Sequence, residues 1–204
     1  MKTPAKIQLS SLEMELITNT NWILTKNNII KKVIDLLGAV QAEQQDFFTT
    51  DSSSLPKEVI QTSAKISKGE NYQGLPYLIL DQPRFFNKEN VFAIRHLFWW
   101  GNFFSSTFHL SGKYKETYQK KIIQAFSSLS EDDFFVCIHP DQWHHHFEED
   151  NFVPINKLTA EQFEEIILGN TFIKLSKKVS LKEWDKVQEK LTGTSRQYLS
   201  ILAT

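Results

Sequence analysis

A chain of 204 residues with 41% hydrophobic and 23% charged side chains lies within the ordinary globular range and can bury roughly 70% of the surface its unfolded form exposes. Its 23 Lys and Arg nearly balance 24 Asp and Glu, which leaves no long-range field to draw it onto nucleic acid or an anionic membrane. A single cysteine, Cys137, excludes an intramolecular disulfide; its neighbours Val136 and Ile138 fit a buried thiol in a reducing compartment. The opening residues lack the apolar segment of a signal peptide, and no window reaches the ~20 apolar residues of a membrane span, so a cytoplasmic location is expected.

The first third reads as helix. Ser10 and Glu13 have the spacing of a capping box, and Leu12, Leu16 and Ile17 follow at helical intervals, which predicts a short first helix. Ile29, Ile30, Val33, Ile34, Leu37 and Val40 form one stripe behind Thr25 as a cap, the pattern of a second helix. Residues 49–54 are polar and predict a loop. Pro56 suits the first position of a third helix running to about Ile66, since its missing amide hydrogen costs nothing there. Gly69 and Gly74 then close the helical part, residues 1–66.

From Leu75 the period becomes that of strands, expected at 75–81, 90–100, 103–111, 133–139 and 171–175. In the third of these Phe104, Phe108 and Leu110 alternate with Ser105, Thr107 and His109, so one face meets a core and the other carries polar groups. Gly101-Asn102 between aromatic runs suits a tight hairpin turn. Tyr114, Tyr118, Ile122 and Phe126 repeat every four residues and predict a helix. Thr159/Gln162 and Ser180/Glu183 are further capping-box pairs, heading helices that end near Gly169 and Gly193, with a last short helix at 195–202. The expectation is one α+β domain over 1–204. Its sheet-containing part, 75–204, holds about five strands, mainly antiparallel or mixed, covered by helices.

Three constellations carry the chemistry. Residues 139–150 gather His139, Asp141, His144, His145, His146, Glu148, Glu149 and Asp150. Imidazole and carboxylate ligate transition metals, but three adjacent histidines cannot face one ion from regular backbone, so the segment is read as a solvated polar loop and no metal is assigned. The second is the polar side of the sheet. There His109 and His139, with Asp81 to orient an imidazole, are the candidates for acid–base catalysis. Arg84, Arg95, His96 and Trp99 are the candidates for holding a small-molecule ligand, an arginine fork being suited to carboxylate or phosphate.

The third constellation is Phe98, Trp99, Trp100, Phe103 and Phe104 around the Gly101-Asn102 turn. It supports the rival reading, an interaction or structural protein that uses 98–104 for a homo-oligomer or partner contact. Phosphate-cradling, dinucleotide, nucleophile-elbow and paired-cysteine motifs are all missing, so no cofactor is assigned. The runs at 74–86 and 92–104, which carry Leu80-Asp81-Gln82-Pro83-Arg84 and Arg95-His96-Leu97-Phe98-Trp99-Trp100, resemble uncharacterised bacterial proteins of unknown function over about a quarter of the chain. That resemblance implies a bacterial, cytoplasmic origin and assigns no residue a role.

Overall fold

In the computed structural model, which describes residues 7–50 and 55–203, the chain begins with the predicted capping box. Ser10 Oγ accepts from the Glu13 amide at 3.2 Å, and Glu13 Oε2 accepts from the Ser10 amide at 2.6 Å, so helix α1 (Ser11–Thr18) starts there. Asn19 alone separates it from α2 (Thr20–Thr50). The expected cap at Thr25 is bypassed because Asn19 Oδ1 accepts from the Trp22 amide at 3.2 Å, which begins the helix six residues earlier. Within α2, Val33, Leu37 and Val40 are fully buried. Residues 51–54, most of the expected polar loop, lie outside the described residues.

The helix expected from Pro56 to Ile66 is corrected to one turn, α3 (Lys57–Ile60), followed by strand β1 (Lys65–Tyr72). Lys65, Lys68 and Gly69 hide this strand, because an edge strand is mostly solvated and carries lysines rather than an apolar alternation. Gln73 and Gly74, both at positive φ (49° and 82°), then turn the chain tightly into β2.

Strands β2 (Leu75–Phe86), β3 (Val91–Trp99) and β4 (Phe103–Ser111) form a meander. Helices α4 (Lys113–Gln124) and α5 (Phe126–Glu131), strands β5 (Phe135–Cys137) and β6 (Phe152–Pro154), α6 (Ala160–Gly169), β7 (Phe172–Ser180) and α7 (Val187–Ala203) follow. The sheet order is β1-β2-β3-β4-β7-β5-β6, with every neighbouring pair antiparallel.

Seven strands replace the expected five, since β1 and the three-residue β6 are too polar or too short to show a period. β7 also runs five residues past its expected end, where Lys177 and Lys178 interrupt the apolar pattern. Gly193 does not end a helix: Leu191, Tyr198 and Leu202 are buried along one face of α7, and that packing carries it through the glycine. None of the described helices is long and apolar enough to cross a membrane.

All the major helices pack on one side. Phe92, Ile94, Phe108, Leu110, Ile173 and Leu175 meet Tyr118, Ile122, Phe163 and Tyr198, while Leu78, Leu80, Phe98, Phe104 and Val179 meet α2 and the start of α7. The other side is crossed by residues 138–151, a strap without helix or strand. Its Phe147 seats against the cluster of Ile79, Leu97, Trp99 and Phe103. The aromatic run is therefore divided between two interiors: Phe98, Trp99, Phe103 and Phe104 each expose 8% or less, and Trp100 is half-buried.

Phe108 is fully buried and stacks on Tyr198 at 5.3 Å, so Phe108→Ala is expected to cost about 3–5 kcal/mol. Leu168, 50% exposed, tolerates the same truncation within ~0.5 kcal/mol. Urea unfolding of both variants measures the contrast.

Candidate functional site beneath the strap

Strand register builds the site floor. Asp81, Arg95, Thr107 and Ser176 lie in one row across β2, β3, β4 and β7, and two residues along, His109 pairs with Lys174. Paired residues share a face, so all six side chains point toward the strap. Arg95 forks onto Asp81, Nε donating to Oδ1 at 2.7 Å and a terminal nitrogen to Oδ2 at 3.1 Å. Thr107 and Ser176 bond through their hydroxyls at 2.8 Å.

Three anchors hold the strap. The Tyr72 hydroxyl accepts from the amides of His145 (2.7 Å) and His146 (3.2 Å) and lies 2.9 Å from His146 Nδ1. Asn151 Nδ2 donates to the His146 carbonyl, and its Oδ1 accepts from Cys137 Sγ at 3.3 Å. Lys174 Nζ donates to the His144 carbonyl. So pinned, the strap sets Gln142 Oε1 2.8 Å from His109 Nε2 and Trp143 edge-on to the same ring at 5.5 Å. The Arg95 guanidinium lies 5.6 Å from the Phe86 ring and 5.9 Å from the Trp143 ring, within cation–π range.

Burial sets the electrostatics. His109 is pushed down to about 3 by desolvation, with the charges of Lys174 and Arg95 adding to it; its ring is neutral at ordinary pH, and the Gln142 carbonyl oxygen matches a proton on Nε2. His145 is lowered well below the usual histidine range, again chiefly by desolvation. Lys174, 2% exposed, is pulled down to about 8 by desolvation. Asp81 neutralises Arg95, whereas no carboxylate among the described residues comes within 4.0 Å of the Lys174 ammonium. The Phe152 ring, 5.0 Å away, and the His144 carbonyl are its close contacts, while Cys137 and Asp141 act on it only at longer range. Burial raises the Cys137 thiol, the opposite of what activates a nucleophile.

Of the residues singled out from the sequence, Asp81, Arg95 and His109 come together on the strap side. His139 lies on the strap itself, half-buried, with its ring 4.0 Å from that of His144 and Nδ1 accepting from the Asp141 amide at 2.9 Å. Trp99 shares the face but is packed as wall, its Nε1 donating to the Tyr72 carbonyl at 3.2 Å. Arg84 is engaged elsewhere, donating Nε to the Ser63 carbonyl at 2.8 Å.

His96 does not join the group. As the strand neighbour of Arg95 it points to the helix face, where it contacts Gln44 Nε2 (2.5 Å) and Ser195 Oγ (3.3 Å) and is pushed down to about 3 by burial. The residues missed were Lys174, Gln142 and Tyr72. Lys174 left a trace in the sequence: a lysine flanked by Ile173 and Leu175 inside an expected core strand.

Among the described residues no group of three or more His, Cys, Asp and Glu is arranged to hold a metal ion. No family model, curated protein or solved structure matches the chain.

The buried histidines make acid sensitivity a test of this geometry. Unfolded histidine takes up its proton near 6.5, whereas His96 and His109 resist protonation until about 3. Stability from these groups is therefore complete above 6.5 and lost as pH falls from 6.5 toward 3. The urea midpoint is expected to decline already between pH 6.5 and 5, before the carboxylates titrate, and His109→Gln to flatten that decline.

Proposed function

We propose that the protein binds a small anionic molecule, a carboxylate or phosphate compound, in the layer between the sheet and the strap. The observation that carries this reading is Lys174, a buried ammonium without a carboxylate partner among the described residues. Removing such a charge from water is costly unless an opposite charge meets it, and an anionic ligand would supply one. Arg95 spends Nε and one terminal nitrogen on Asp81, which leaves its other terminal nitrogen to donate. Neutral His109 adds a polar group that costs little to keep dry.

Asp141, Trp143 and His144 form the accessible rim, with side chains 49%, 46% and 37% exposed respectively. In this reading Asp81 orients Arg95 rather than an imidazole, and His109, neutral until about 3, serves as a hydrogen-bonding group rather than a proton carrier. An amine lowered to about 8 keeps a neutral fraction near physiological pH, as acid–base chemistry requires.

Lys174→Met tests the proposal on two independent readouts. The folded lysine sheds its proton at about 8 and the unfolded one near 10.5, so the wild-type protein gains stability as pH rises from 8 to 10.5. The variant is expected to be more stable than wild type at pH 7 and to lack that rise. Inorganic phosphate, citrate and acetate, titrated by calorimetry and thermal shift, are the probes; at least one is expected to stabilise the wild-type protein and to bind Lys174→Met at least tenfold more weakly. Absence of any response from the wild-type protein, or equal responses from both proteins, would sink the reading.

A further inference from the structure

The strap site leaves the most exposed apolar surface of the molecule unexplained. No residue of α1 is buried, yet Leu12 is 63% and Ile17 69% exposed; in α2, Trp22, Leu24 and Ile34 expose 47%, 57% and 40%. Residues 20–25 of α2 are all exposed, and Lys26, Ile29 and Ile30 are the first to touch the body, so α1 and about the first two turns of α2 extend from it as an arm. Apart from Glu13, Glu15 and the terminal Ser11 and Thr18, α1 is apolar, and an exposed apolar surface of that kind marks a contact.

Helix α2 cannot fold back to provide the cover. Antiparallel helices need a loop of about 2–5 residues to fold together, and only Asn19 lies between α1 and α2. The charges indicate what does. α1 carries two acids and no base, whereas residues 20–34 of α2 carry Lys26, Lys31 and Lys32 and no acid. Lys26 already pairs with Glu70; Lys31, Lys32 and Glu15 make no ion pair among the described residues.

An arm with an acidic apolar tip and a basic apolar root is complementary to itself in a two-fold arrangement, each tip crossing the other's root. The eight residues of α1 span ~12 Å and match the ~16 Å from Ile23 to Ile34 on α2. A groove of about 460 Å³ lined by Trp22, Ile29 and Trp100 lies at the root to receive apolar side chains. Eight large apolar side chains of α1 and α2, each at least two-fifths exposed, are of the order needed for a stable interface of ~800 Å² per partner. Glu13 and Glu15 argue against an anionic membrane surface as the occupant of the tip, which calls for lysines on the polar face.

We infer that α1 and the exposed half of α2 form a homodimerisation arm, in which the α1 of each copy packs on the α2 of the other. Sedimentation equilibrium of the full chain at micromolar concentration is expected to give twice 23.8 kDa. The double variant Leu12→Glu/Ile17→Glu is expected to sediment as a monomer with an unchanged far-ultraviolet spectrum, since neither side chain is buried within the chain. Lys31→Glu/Lys32→Glu should weaken the dimer roughly tenfold at low salt, and adding Glu15→Lys should restore part of the loss.

A wild-type protein that stays monomeric, or a dimer that Leu12→Glu/Ile17→Glu leaves intact, overturns the inference. So does a monomer that co-sediments with phosphatidylglycerol vesicles through these same residues, because the arm would then be a membrane contact.

Discussion

β4 is buried along its entire length on both faces, although one of those faces carries Ser105, Thr107, His109 and Ser111. A central strand of this kind obliges the fold to cover a polar surface as well as an apolar one, and a covered polar group must find a partner or leave its desolvation cost unmet. Much else answers that demand. β7 supplies Ser176 to Thr107, β2 supplies Asp81 to Arg95, and the strap supplies Gln142 to His109. Lys174 is the member of the set with no carboxylate within 4.0 Å among the described residues, which is why the site reading converges on it.

The helix face shows the same demand in a milder form. Between the two apolar clusters runs a polar seam, with Gln44, His96 and Ser195 in mutual contact and all fully buried. Gln44 Oε1, His96 Nδ1 and Ser106 Oγ find no partner among the described residues. A purely apolar seam would leave α2 and α7 free to slide on the sheet with little penalty. Polar groups that bond in one register alone tie each helix to one position, at a cost in stability. Tyr198, whose hydroxyl donates to the Ser106 carbonyl at 2.8 Å, fixes α7 in the same way.

Strap and arm are held by opposite means. The strap has no helix or strand of its own, and tertiary bonds from Tyr72, Asn151 and Lys174 hold it. The arm is regular helix with few tertiary contacts to the body, held by its capping box and the continuity of α2. Local unfolding free energy follows the number of buried contacts rather than the regularity of the backbone. The strap is thus the firmer of the two in the isolated chain.

The capping boxes at Ser10 and Thr159, the hairpin turn at Gly101-Asn102 and the in–out alternation of β4 were legible in the amino-acid sequence, because each rests on interactions spanning a few residues. β1 and β6 were not, since their pairing comes from neighbours rather than from an apolar period of their own. The alternation that placed His109 correctly also sets His96 apart from Arg95, a step the sequence allows once the strand is recognised. What stayed out of reach was the pairing of β4 with β7, which brings His109 beside Lys174 across 65 positions, and the path of the strap that lays Gln142 and Trp143 over them. Sequence by itself determined which local elements form and which face of each is polar, because those follow from hydrogen bonds and periodicities within a few residues. Tertiary structure alone decided which polar faces meet and which buried groups come to lie together, because those depend on long-range strand order and on what finally excludes water.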